Sequence, residues 1–214
     1  MGGVSGRDHV ALGPPSRPLD GFPIRELTAA QSLHRGHSVD NGPWWFASSG
    51  GGRFDLTPPR GTCYLAYDEL TAIRETVGAP LAATGVISAE FASKRHLSAL
   101  TVPHDHHLAD TCSDDAANYG LTRELVSMTP YSVPHEWAST FDAAFDGIQY
   151  QTRFTTGPNP NAVALFADAG EQPWPVDPDP EPFTTAARRH GFTVATPPRS
   201  VRIVPTPGGA TKPS

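Results

Sequence analysis

Cysteine is scarce. Cys63 and Cys112 are the only two in 214 residues, too few for the disulfide framework of a small secreted domain and without neighbours at metal-ligand spacing. Reduced thiols in a cytoplasm are the expectation. Positive charge is also short: 16 Lys and Arg against 22 Asp and Glu leave a formal charge of -6. That argues against a general nucleic-acid surface or an anionic-membrane surface, while leaving room for a local anion site. No run approaches the roughly 18 apolar residues that span a bilayer, and the first twenty residues hold no apolar core of signal-peptide length. Neither Gly-x-Ser-x-Gly nor the phosphate-cradling GxxxxGK occurs, which removes the commonest hydrolase and nucleoside triphosphatase readings. HExxH, paired CxxC and EF-hand loops are missing too. The HDHH run at 104 to 107, with Cys112 downstream, invites zinc but lacks the helical i, i+4 frame that makes histidines converge, so no metal is expected.

What is present describes one α+β domain with ragged ends. Apolar residues make up 38% of the chain, with 23 prolines and 20 glycines, a globular composition rich in turns. Residues 1–22 lack an apolar period and read as a flexible leader; 23–170 form the domain; 171–214, including QPWPVDPDPEP, read as a proline-rich extension, a linker or surface wrap. Within the extension, FTTAARRHGFTVATPPRSVRIVP suggests one short helix and one or two edge strands, and TPGGATKPS a loose end. TCYLAY, GVISAEF and HLSALTV read as strands of one sheet. SVPHEWASTFDAAF places Trp137, Phe141 and Ala144 at helical spacing, with Pro134 tolerated in the first turn. GIQYQTRF and NAVALFA form a hairpin across TTGPNP.

The segment DELTAIRETVG is the most informative. Asp68 is placed to cap a helix that Gly78 ends, and Leu70, Ile73 and Val77 make its apolar stripe. Glu75 points away from the stripe, among Ala72, Thr76 and Ala79. Spacing alone leaves two readings open: a solvated surface glutamate, or a carboxylate lining a cleft beside small residues. Upstream, SSGGGRFD can bring main chain close to a ligand, or be a plain loop. The polar groups left over are Arg35, Arg53, Tyr64, Glu75 and Thr152. Two arginines, a tyrosine and a carboxylate suit a substrate with phosphates, an aromatic ring and a ribose.

The order LHR, GGRF, GTCYLAYDELTAIRE, FDGIQYQTRF and AVALF, over about residues 30 to 168, resembles the RES domain family, named for an arginine, a glutamate and a serine. The resemblance implies an ADP-ribosyltransferase-like fold, with a split mixed or antiparallel sheet and flanking helices. It implies a bacterial toxin or toxin-like enzyme that consumes NAD, needs no metal, and is neutralised by an antitoxin with an Xre-like helix-turn-helix region. Carried over by position, Glu75, Arg35 and Tyr64 are the catalytic candidates, and Arg35, Arg53, Tyr64 and Thr152 the NAD-binding ones. Thr152 departs from the family's serine; it keeps the hydroxyl but adds a methyl and a stiffer χ1.

The implied reaction breaks the nicotinamide–ribose bond, with Glu75 steadying the positive ribose and the arginines holding the pyrophosphate. Tyr64 would stack on nicotinamide or the ribose, and Thr152 bind the carboxamide or a ribose oxygen. Water as acceptor makes a glycohydrolase, phosphate a phosphorylase, and a protein side chain an ADP-ribosyltransferase. The alternative of another class is a non-catalytic binding module using PWWF and the proline-rich tail, with one of Trp44 and Trp45 exposed.

Overall fold

The structure, a computed structural model, describes residues 11–157, 159 and 161–196. In chain order the elements are β1 (Ile24–Leu27), β2 (Leu33–Ser38), β3 (Trp45–Phe46), β4 (Arg60–Ala66), α1 (Glu69–Val77), α2 (Ala79–Thr84), β5 (Val86–Ser88), α3 (Ala89–Ser93), β6 (Arg95–Leu100) and β7 (His106–Asp110). Two 3-10 turns (Asp114–Tyr119, Arg123–Val126) lead into α4 (Ser132–Asp142), β8 (Gly147–Tyr150), β9 (Ala162–Asp168), β10 (Gly170–Glu171), β11 (Glu181–Pro182), α5 (Phe183–Arg189) and β12 (Thr193–Ala195).

The helix bearing Glu75 starts and stops for local reasons. The Asp68 carboxylate accepts from the Thr71 amide at 2.8 Å, and Gly78 ends the helix at φ 67°, a conformation L side chains rarely adopt. Ile73 and Val77 are buried, whereas Leu70 is half-buried and Ala72 takes its place in the core.

Eight strands form one mixed sheet in the order β1-β7-β8-β9-β4-β2-β6-β11. Only β7 and β8 run parallel. β4 pairs with β9 residue for residue from Arg60 to Ala66. With β2 it shares a single pair, His34 with Ala66, before the strands part. Beyond that point Ala47 bonds to Thr62 in both directions at 2.9 and 2.8 Å, so an irregular segment takes the edge that β2 leaves. This is the split in the sheet, and it positions the site.

Three apolar clusters fill the interior. One joins α4, through Trp137 and Phe141, to Ile148, Tyr150 and Phe54. A second lies on the opposite face around Leu33, Trp44, Phe46, Cys63 and Leu165. The third packs α1 and α5 on β6 through Ile73, Leu97, Phe183 and Ala187.

Several segments depart from the sequence reading. From residue 11 the leader is packed: Leu12 is buried, and the Trp137 indole donates to the Gly13 carbonyl at 2.9 Å. The proline-rich region supplies fully buried Phe183, and Trp174 stacks edge-on at 4.9 Å from Trp44. GVISAEF is not a strand of the main sheet. Its first half is β5, paired in parallel with β12, and its second half is α3, begun where the Ser88 hydroxyl accepts from the Phe91 amide. Ala144 lies beyond α4 and is exposed. Residues 1–10, SVRIVP and TPGGATKPS lie outside the described residues.

Candidate active site

A cavity of about 410 Å³ opens where β2 and β4 separate, roofed by α1 and by the loop that follows β8. The volume falls in the range of small-molecule sites, about 300–1,000 Å³. Arg35, Arg53, Tyr64 and Glu75 all line it, together with Ala72 and Thr76. Ala79, the third small neighbour expected around Glu75, is exposed and lies elsewhere. Glycine at 36 lets α1 sit this close, since a Cβ there would meet Thr76 Oγ1 at 2.3 Å and the Phe183 ring at 2.8 Å.

Glu75 is half-buried at the cavity wall. Its Oε1 accepts from the Phe154 amide at 2.8 Å. Burial pushes its pKa above that of ordinary glutamate, against the lowering effects of that amide, of Thr152, and of Arg53 and Arg153. The carboxylate is therefore desolvated yet surrounded by positive potential.

The two arginines are fixed by backbone carbonyls. Arg35 Nη1 donates to the Pro43 carbonyl and to Cys63 Sγ at 2.9 Å, and Nη2 to the Trp45 carbonyl at 2.9 Å. Those bonds use three of the five N–H donors a guanidinium carries. Arg53 Nη1 donates to Met128 O at 2.6 Å, and the guanidinium sits 4.6 Å from the centroid of the Tyr131 ring. Burial lowers its pKa, with Tyr131 opposing. Among the described residues no ion pair joins either arginine to a carboxylate. A half-buried cation held without an acid partner suits an anionic ligand.

Tyr64 lines the cavity with its ring, while its hydroxyl is used behind it. That hydroxyl donates to Asp55 Oδ1 at 2.9 Å and accepts from the Phe54 amide at 2.8 Å. Burial, then the neighbouring Asp55 charge, raise its pKa well above that of ordinary tyrosine, so it stays protonated. Buried Asp55 also accepts from the Gly52 amide at 3.0 Å and the Ser49 hydroxyl at 3.3 Å. The glycine run is thereby clamped to β4, with Arg53 between two of the tied residues. A Cβ at Gly52 would meet Asp55 Oδ1 at 2.3 Å and the Tyr64 hydroxyl at 2.5 Å.

Thr152 stands apart from the other four. It is 5% exposed and is not among the cavity's lining residues. It lies near enough to Glu75 to help lower the carboxylate pKa, yet its Oγ1 has no hydrogen bond of ordinary geometry. The pair is a close approach rather than a formed bond, and Thr152 stands behind Glu75.

Sequence reasoning missed Arg153, Tyr131, Asp55 and Arg95. Arg153 lies inside the FDGIQYQTRF segment, and its charge acts on Glu75. Asp55 follows GGGRF directly, but nothing local says that it reaches Tyr64 across nine positions. The remaining motifs lie away from the cavity. His104 and His106 stack on each other at 4.4 Å and His106 on Trp174 at 5.8 Å. Among the described residues no group of three or more His, Cys, Asp or Glu is placed to hold a metal ion. Trp44 is buried and Trp45 is 37% exposed at the cavity rim. Among the described residues no helix is long and apolar enough to cross a membrane.

No curated protein matches the sequence. Among solved structures, a chain of the M. tuberculosis MbcT-MbcA toxin-antitoxin complex superposes with a TM-score of 0.62 at 13% identity, covering 81% of this chain and 95% of that one. The shared fold is the ADP-ribosyltransferase-like one. The RES domain matches residues 29–186. That span runs past the quoted motifs to include β11 and the first half of α5, so the segment packing Phe183 under Gly36 is part of the same unit. The chain belongs to the RES domain family.

Proposed function

We propose that the protein cleaves the nicotinamide–ribose bond of NAD, as a glycohydrolase or phosphorylase, and that a cognate antitoxin protein restrains it. The observation that carries this reading is the convergence of Glu75, Arg35, Arg53 and Tyr64 on one cavity from a helix, two strands and a loop. Membership of the RES family supplies the expectation of NAD. The likeness to a chain of a toxin-antitoxin complex supports the restraining partner, for which an Xre-like protein is the expectation.

Nicotinamide leaves as a neutral base, taking the bonding electron pair, and its positive charge passes to the ribose. No general acid is required. A carboxylate fixed beside the ribose stabilises the forming oxocarbenium, and a desolvated one acts more strongly than one in water. Glu75 has that character: the Phe154 amide fixes it, and burial removes its water. The acceptor oxygen then bonds to the same carbon; water gives up a proton to solvent as it does so, and a phosphate oxyanion has none to lose. Arg35 and Arg53 hold the pyrophosphate with the donors their carbonyl contacts leave free, pre-organised by those contacts. Tyr64 offers its ring face, its hydroxyl being committed to Asp55. Thr152 supports Glu75 from behind instead of touching the carboxamide.

The test is to incubate purified protein with NAD, with and without inorganic phosphate, and follow nicotinamide by chromatography. Release without a protein acceptor is expected. No release under either condition contradicts the reading.

A further inference from the structure

Arg95, like Arg153, is a cationic cavity residue that the mechanism above does not use. It opens β6 and pairs with Ser38 at the end of β2, and both line the cavity. Residues directly opposite in an antiparallel pair share a face, so Arg95 lies on the α1 side of the sheet. Arg35 lies three residues back along β2, about 10 Å at about 3.3 Å per residue, and on the opposite face. The cavity wraps round the split and receives both.

Its guanidinium is held in place without being neutralised. Nη1 donates to the Phe91 carbonyl at 3.0 Å, and the group stacks 3.6 Å from the centroid of the Phe91 ring. Burial lowers its pKa, and no neighbouring charge offsets that effect. The nearest acid in sequence, Glu90, pairs with Lys94 at 2.9 Å, and among the described residues no ion pair joins Arg95 to a carboxylate. The lining as a whole carries Arg35, Arg53, Arg95 and Arg153 against Glu75 alone, within a chain of formal charge -6. NAD, with two phosphodiester charges and a cationic ring, leaves most of that positive charge unmatched. A phosphomonoester would add about -1.5 to -2. In Rossmann-type dinucleotide sites, on a different fold, an arginine near the adenosine ribose accommodates a 2′-phosphate, and the same guanidinium chemistry is available here.

We propose that Arg95 forms a phosphomonoester subsite, which makes a nicotinamide dinucleotide bearing a 2′-phosphate, NADP, the preferred substrate over NAD. This rests on the nicotinamide-releasing reading above. Arg35 and Arg53 hold the pyrophosphate, and Arg95 takes the 2′-phosphate about one ribose further along.

The experiment has a turnover arm and a binding arm. Nicotinamide release is compared for NADP and NAD, and adenosine 2′,5′-bisphosphate is compared with AMP by calorimetry, which requires no catalysis. Wild type should favour the 2′-phosphorylated ligand in both arms by roughly tenfold to a hundredfold. Arg95→Gln should bring both ratios towards one, and Arg95→Lys should retain part of them. Equal affinities in wild type, or ratios unmoved in Arg95→Gln, overturn the proposal. So does a subsite filled by free phosphate, seen as inorganic phosphate accelerating NAD cleavage through Arg95 without any preference for NADP. If neither dinucleotide releases nicotinamide, the reaction assignment fails, and the calorimetric ratio still decides the subsite.

Discussion

The two borders of β4 differ in kind. Against β9 the strand is paired from end to end, both faces are covered, and its neighbours Val163, Ala164 and Leu165 are fully buried. Against β2 it keeps one pair, and along the rest of that border lie arginines, glycines, a tyrosine and the Glu75 helix. A closed ladder satisfies its own backbone and leaves nothing for a ligand. A parted one needs side chains and loops to satisfy what the partner strand would have bonded. Arg35 does this for the Pro43 and Trp45 carbonyls, so the same guanidinium both seals the split and faces the cavity.

The strongest way to break the comparison lies on the open border. Glu75→Gln keeps an acceptor for the Phe154 amide and loses the charge; release of nicotinamide should fall by roughly a hundredfold to a thousandfold. Because burial raises the Glu75 pKa, the folded state binds its proton more readily than the unfolded chain does. Ionised Glu75 therefore costs stability at neutral pH, and the variant should melt no lower than wild type.

Phe183→Ala comes next, since it removes a fully buried ring beneath Gly36. It should cost about 3–5 kcal/mol, read by chemical denaturation. Gly36→Ala presses on Thr76 and the same ring and should cost about 1–3 kcal/mol, with turnover reduced because α1 carries Glu75. Asp55→Asn should raise KM for NAD more than it lowers kcat, because it loosens the loop that presents Arg53 and leaves Glu75 in place.

The smallest effect is on pH. Turnover needs the carboxylate, so it should fall with acidification through a pKa above that of ordinary glutamate. Arg153→Gln, by removing a charge that opposes the shift, should move that limb further up. A limb at the ordinary value would remove the desolvated carboxylate from the account.

Local chemistry made β4, the β8–β9 hairpin and α1 legible in sequence, though not the pairing of β4 with β9. The Asp68 cap, the Gly78 stop and the alternation of TCYLAY act within a few residues, and four of the five site candidates share the cavity they line. What was not legible depends on contacts distant in sequence. Half-buried Trp174 and fully buried Phe183 pack on elements more than seventy residues away, so a proline-rich composition gave no sign of their packing. GVISAEF satisfies both a strand alternation and a Ser88 cap three residues before Phe91, and tertiary packing divides it between the two. Thr152 matched by position, but the loop turns so that its hydroxyl sits behind Glu75.

The most direct measurement pairs calorimetry with single-turnover release on Glu75→Gln. NAD should bind within a few fold of the wild-type affinity while nicotinamide release drops by at least a hundredfold. Release at the wild-type rate from a protein that binds NAD normally would contradict the assignment of Glu75 to the reacting ribose.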